Sequence, residues 1–244
     1  MNPDQNPYQV PQADIAPMDQ GEFHEPRSTP MGHGTEWISQ AWDLFKISPG
    51  MWIAMLIVFA ACQVVLGLVP FAGSLFGPVF MAGLYRASQT AHEEGVVRME
   101  DLFAGFRERL GTLILVGLLT IVFIAITIIG SLGIAWLVMG RSFVEASGAP
   151  DIVAIFVFAA VVAALIIPVL MMTWFAPALV IFEGMAAFES MKYSFTACLR
   201  NIMPMTVYSI IAILLLIVGV LPAGLGLLVV IPLLMITMYT SYQD

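Results

Sequence analysis

This 244-residue chain reads as an all-α, polytopic membrane protein: six transmembrane helices in three pseudo-repeats, each an amphipathic surface helix followed by a helical hairpin. Three observations lead there. Hydrophobic residues make up 60% and charged residues 11%, with mean hydropathy +0.93, against roughly 45–50% apolar and 25% charged in soluble domains. Apolar runs long enough to cross a bilayer recur with proline and glycine turns between them. A cassette also repeats, with a proline, a methionine three positions on and an aromatic seven positions on: Pro78, Met81, Tyr85; Pro168, Met171, Phe175; Pro232, Met235, Tyr239. Lys46 precedes the first proline by 32 positions and Arg200 the third by 32, whereas Arg107 precedes the second by 61, so the middle copy carries an insertion.

Residues 1–35 hold five acids, one arginine and six prolines, with no basic start followed by an apolar core. They do not read as a targeting peptide, and so acidic and proline-rich a tail cannot bury enough surface to offset chain entropy; disorder is expected. His24 and His33 in it read as solvated side chains rather than a metal pair. The membrane domain is expected over 36–244, with repeats 36–91, 98–183 and 186–244 and no separate soluble domain.

In the first repeat Trp37, Ile38, Ala41, Trp42 and Phe45 recur at helical spacing, Thr35 is placed to cap and Lys46 closes the last turn. Ser48 and Pro49 read as N-cap and first position of a span over 51–68, and Pro70 with Gly73 turns the chain. The next apolar segment, to Tyr85, is only about 14 residues against the ~20 usually needed. It still reads as a span, because Arg86 can snorkel to the interface. In the second repeat Met99, Leu102, Phe103, Phe106 and Leu110 form the apolar stripe, with Glu100, Asp101, Arg107, Glu108 and Arg109 opposite. The runs 111–139 and 152–182 exceed one crossing, which implies tilt, protrusion or a break. Asp151 is placed to cap the second run, and 176–183 reads as part of a turn made by Pro177 and Gly184. In the third repeat Phe188, Met191, Phe195, Cys198 and Leu199 form the stripe, and spans over 205–221 and 223–239 follow.

Placing the three amphipathic segments on one side gathers Arg27, Lys46, Arg86, Arg98, Arg107, Arg109, Lys192 and Arg200 there, and leaves only Arg141 on the other. By the positive-inside rule that side and both termini are cytoplasmic. Two spans per unit make successive units enter the membrane in the same direction, so their symmetry axis runs along the membrane normal.

Charge and motifs narrow the function classes. A net charge of −8 without a basic stripe argues against a nucleic-acid partner. Cys62 and Cys198 lie at different depths and are not expected to bridge. The spans carry almost no ionisable group, against a proton-coupled pump or ion channel. Gln63 is the one strongly polar side chain near mid-span, suited to an interhelical hydrogen bond or a substrate contact. Each cassette proline frees a carbonyl four residues earlier, at Ser74, Ala164 and Leu228. Those carbonyls would ring a small cavity if they faced the axis; the plainer reading is that the kinks let helices curve, with Gly73 and Gly77, and Ala160 and Ala164, as close-packing faces. Lys46, Arg86, Arg107, Arg109, Lys192 and Arg200 are candidate lipid-headgroup contacts, or they hold topology and helix dipoles. Trp37, Trp42, Trp52 and Trp174 suit interfacial belts, and His92 reads as solvated. No catalytic spacing, metal-ligand set or cofactor motif emerges.

Several segments together resemble a family of uncharacterised proteobacterial inner-membrane proteins: Asn6-Pro7-Tyr8 with Pro11, Ser48-Pro49-Gly50-Met51-Trp52, PVFMAGL from Pro78, LFAGFRERL from Leu102, WFAPALV from Trp174, CLRN from Cys198, and the ending from Tyr239. The resemblance covers nearly the whole chain. It implies a bacterial cytoplasmic membrane location, six helices, and a distant likeness to the membrane domain attached to some glycerophosphodiester phosphodiesterases. These residues contain no phosphodiesterase domain, so that activity is not implied, and no functional residues carry over. The expectation is a non-enzymatic protein that organises membrane or assists lipids or other membrane proteins, with a transporter or channel for a neutral or lipophilic solute as the rival.

Overall fold

The computed structural model describes residues 27–139 and 152–244. His24, the capping role of Asp151, Arg141 and most of the tail fall outside them. Among the described residues the secondary structure is helical: α1 His33–Ile47, α2 Pro49–Leu66, α3 Ala72–Glu94, a 3-10 turn Met99–Phe103, α4 Ala104–Glu108, α5 Leu110–Met139, α6 Ile152–Trp174, α7 Ala176–Glu183, α8 Ala187–Arg200, α9 Ile202–Val220 and α10 Leu227–Gln243.

Local chemistry explains most boundaries. Pro49 opens α2, where its missing N–H costs nothing, and Ser48 is the N-cap residue; its carbonyl accepts from Met51 and Trp52 N–H, while its hydroxyl makes no capping bond. α1 starts at His33, inside the stretch expected to be tail, and Thr35 does not cap it: the hydroxyl donates to the Gly32 carbonyl at 2.7 Å. The first hairpin turns at Phe71, φ +65°, while Gly73 already lies inside α3. Residues 176–183 are a buried helix rather than a turn, stopped by Gly184 at φ +66°. The second amphipathic stripe is split among the 3-10 turn, α4 and the start of α5, and Asp101, placed on its polar face by the sequence, is instead 8% exposed.

Among the described residues, four segments are long and apolar enough to cross a bilayer: Pro49–Leu66, Leu110–Ile134, Phe158–Glu183 and Ile202–Val220. α10 is a shorter apolar helix, and α3 spends its second half on polar residues from Arg86 to Glu94. At ~1.5 Å per residue the 30 residues of α5 extend ~45 Å, well beyond a ~30 Å hydrocarbon layer. Its outer part packs on α6, where Leu165 approaches Gly130, and exposes Ile126, Ile129, Leu132 and Trp136.

The two proline helices outside those four segments do the gathering. α3 buries Val79, Phe80, Ala82, Leu84 and Tyr85, and α10 buries Leu233, Ile236 and Tyr239. Each short amphipathic element packs mainly on two or fewer neighbouring helices: residues 99–108 on α3, α8 on α6 and α7, and α1 on α9 and α10. These contacts are backbone-close. A Cβ on Gly83 would stand 2.0 Å from the Leu102 carbonyl oxygen, one on Gly105 2.3 Å from that of Val79, and one on Gly34 2.4 Å from that of Pro204. α5 meets α3 the same way, at Gly117 against Leu75. The close-packing glycines are therefore not those expected. Gly77 has nothing within 4 Å, Gly73 meets only the Gln63 side chain, and Ala160 and Ala164 are exposed.

Candidate functional site

The three cassette aromatics arrive at one place. Tyr85, Phe175 and Tyr239 are each nearly buried, and two further rings join them: Phe182 from α7 stands 6.4 Å from Tyr85 and 6.3 Å from Tyr239, and Tyr242 from α10 stands 6.2 Å from Tyr85 and 6.4 Å from Phe175. Phe182 and Tyr242 themselves lie 5.6 Å apart. Edge and tilted contacts of this kind each add about 0.5–1.5 kcal/mol beyond buried area. The Tyr85 hydroxyl donates to the Trp174 carbonyl at 2.9 Å, and the Tyr242 hydroxyl donates to Glu183 at 2.9 Å. The sequence reading named the cassette aromatics and missed the two that join them. A signal existed: Tyr242 lies three positions after Tyr239 and Phe182 seven after Phe175, each on the same helical face as its predecessor.

The candidate headgroup contacts are in different states, and of them Arg86 touches this cluster. Lys46 is exposed and pairs with Asp43 at 2.8 Å. Arg86 is taken up by protein: its guanidinium stands 5.3 Å from the Phe182 ring centre and bonds Gln89 at 2.7 Å and Glu108 at 2.5 Å. Arg107 is exposed and donates to the Glu100 carbonyl at 2.9 Å. Arg109 lies over Gly184, its Nη2 2.6 Å from where a Cβ would sit. Lys192 and Arg200 are exposed on α8.

The residues whose carbonyls the prolines free are not gathered in the interior. Ser74, Ala164 and Leu228 are all exposed residues, while the helices turn Val79, Val169 and Leu233 inward. A hollow of about 470 Å³ beside α2 and α3 is walled by Ala61, Cys62, Val65, Leu66, Phe76, Phe80 and Phe106, carbon surface that offers an ion nothing. Nearby, Gln63 Oε1 is buried and finds no hydrogen-bond partner, so the expected interhelical bond through that oxygen is not formed.

A second cavity, about 100 Å³, has mixed walls. Residues 27–29 close one side, clamped by Asn201: its Oδ1 accepts from Thr29 N–H at 2.8 Å and Thr29 hydroxyl at 3.0 Å, and its Nδ2 donates to the Arg27 carbonyl at 2.8 Å. Trp37, Phe175, Tyr193 and Tyr242 supply aromatic surface, and Asp244 a carboxylate. Trp37 Nε1 donates to Asp244 Oδ2 at 2.8 Å, and His33 Nδ1 lies 2.6 Å from the same oxygen. His33 is therefore no solvated tail residue.

Two of the expected belt tryptophans are interior. Trp37 is 3% exposed and Trp52 2%, with Trp52 Nε1 bonded to the Leu44 carbonyl at 3.1 Å. Trp42 is 43% exposed and stacks on Phe45. His92 is exposed, its ring 6.2 Å from Tyr239. Cys62 and Cys198 are both free thiols; burial pushes the Cys198 thiol up to about 12, so it is inert as a nucleophile. Burial likewise raises the Asp101 carboxyl, against the pull of a Thr90 hydrogen bond and of Arg98 and Arg107. No group of three or more His, Cys, Asp or Glu among the described residues is placed to hold a metal ion. Comparison of the chain with protein-family models, curated proteins and solved structures gives no match.

Proposed function

We propose that this is a six-crossing protein of the bacterial cytoplasmic membrane, built from three repeats about an axis along the membrane normal, with both termini cytoplasmic. Its role is non-enzymatic: it organises membrane, with lipids and other membrane proteins as its partners, and needs no cofactor. The family of proteobacterial inner-membrane proteins that its motifs resemble fits this placement. The threefold arrangement is supported by the cyclic packing, in which every surface element lies on helices of the preceding unit and α1 closes the circle on α9 and α10. α3 and α10 then cross with apolar stretches shorter than the bilayer, which local thinning or snorkelling accommodates at modest cost.

The observation that carries the role is the closure of the three cassette aromatics around Phe182 and Tyr242. A pathway for a neutral solute along the axis would need that centre open and its freed carbonyls turned inward. Purified protein in liposomes is expected to leave glycerol and other neutral solutes as slow to cross as in protein-free vesicles, while a deletion strain shows altered lipid composition. Saturable, protein-dependent solute flux would replace this reading with transport.

A further inference from the structure

We infer that the cavity beneath the Asn201 clamp is a binding site for the ammonium end of a zwitterionic phosphoryl headgroup. Its size points to a headgroup: about 100 Å³ is several times what one water requires, and well below the ~300 Å³ where pockets for drug-sized ligands begin. The lining specifies charge. Trp37, Phe175, Tyr193 and Tyr242 present ring surface, whose π-face attracts a cation within about 6 Å.

A cation stripped of water among rings also needs a counter-charge, and Asp244 provides it. The carboxylate is anchored by Trp37 Nε1 and His33 Nδ1, both on Oδ2, so the other oxygen is the one that meets a ligand. Arg27 also lines the cavity, on the clamped segment. Beside a simple cation it would be a repulsive neighbour. Beside a headgroup that carries phosphate next to ammonium it is complementary: the phosphate faces Arg27 and the ammonium enters the rings. The neighbouring Asn201 and Ser241 supply polar edges.

The headgroup belongs to a membrane lipid if the lipid-organising role above holds, and only that assignment of source rests on it; occupancy of the cavity is tested independently in detergent. Calorimetric titration of the full chain with choline should show saturable binding. The uncharged carbon isostere 3,3-dimethylbutanol should bind at least ten-fold more weakly. Asp244→Asn, which keeps an oxygen for Trp37, and Tyr193→Ala should each weaken choline about ten-fold while circular dichroism and melting stay near wild type. Phosphocholine should bind more tightly than choline, and Arg27→Gln should abolish that gain by weakening phosphocholine, while choline binds as tightly as before or more tightly. Equal binding of the isostere, an unaltered Asp244→Asn, or no saturable binding of either probe overturns the proposal. In nanodiscs, competition of phosphatidylethanolamine against choline, absent with phosphatidylglycerol, identifies a lipid source; undiminished choline binding in both identifies a soluble ligand of the same chemistry. Solute flux together with retained choline binding would refute the lipid-organising role and leave the site standing.

Discussion

Gly83 shows how little room the centre leaves. A methyl group there would fall 2.0 Å from a backbone oxygen of Leu102, and backbone cannot step aside as a flexible side chain can. Gly83→Ala and Gly105→Ala are therefore expected to destabilise the protein by several kcal/mol, on the order of severe overpacking. Gly77→Ala, with open space at its Cβ, should be neutral or slightly stabilising through helix propensity. Melting temperatures in one detergent decide between them, and a Gly83→Ala protein that melts like wild type would contradict the close approach. None of this was visible beforehand, since Gly73, Gly77 and Gly83 look alike in sequence: what separates them is which other segment lies across each. Asp101 and Trp52 teach the same lesson. Helical spacing assigned Asp101 to a solvated face and an aromatic-belt rule assigned Trp52 to the interface, and the packing of residues 99–108 on α3 and of α1 on α2 buried both.

Among the elements, the proline helices were legible and their purpose was not. The cassette located Pro78, Pro168 and Pro232 inside α3, α6 and α10, where they are found. Direction of bending depends on neighbours, and the residues whose carbonyls are freed face outward. The clamp on residues 27–29 was equally hidden, because Asn201 and Thr29 are 172 positions apart and each is unremarkable alone. Its disruption is a test at this scale. Asn201→Ala removes three hydrogen bonds to the segment, which net of solvation are worth about 0.5–1.5 kcal/mol each. Amide exchange at Thr29 should rise by an order of magnitude or more while exchange in α3 and α10 stays unchanged. Unaltered protection at Thr29 would mean that other contacts hold the segment.

For the molecule as a whole, the arrangement predicts topology: a reporter fused at position 145 should be read in the periplasm and one after Asp244 in the cytoplasm, and the same side for both would refute paired crossings in each unit. The all-helical, apolar character of the chain needed no coordinates, because hydropathy and helical period are local sums over neighbouring residues, and they set which segments can live in lipid. Convergence required the fold. That Tyr85, Phe175 and Tyr239 share one cluster, that Phe182 and Tyr242 complete it, and that Asp244 returns to Trp37 and His33 rest on contacts between residues from 57 to 211 positions apart. Contacts at such separations depend on how whole helices lean and turn against one another, and that freedom has no trace in any single window of sequence.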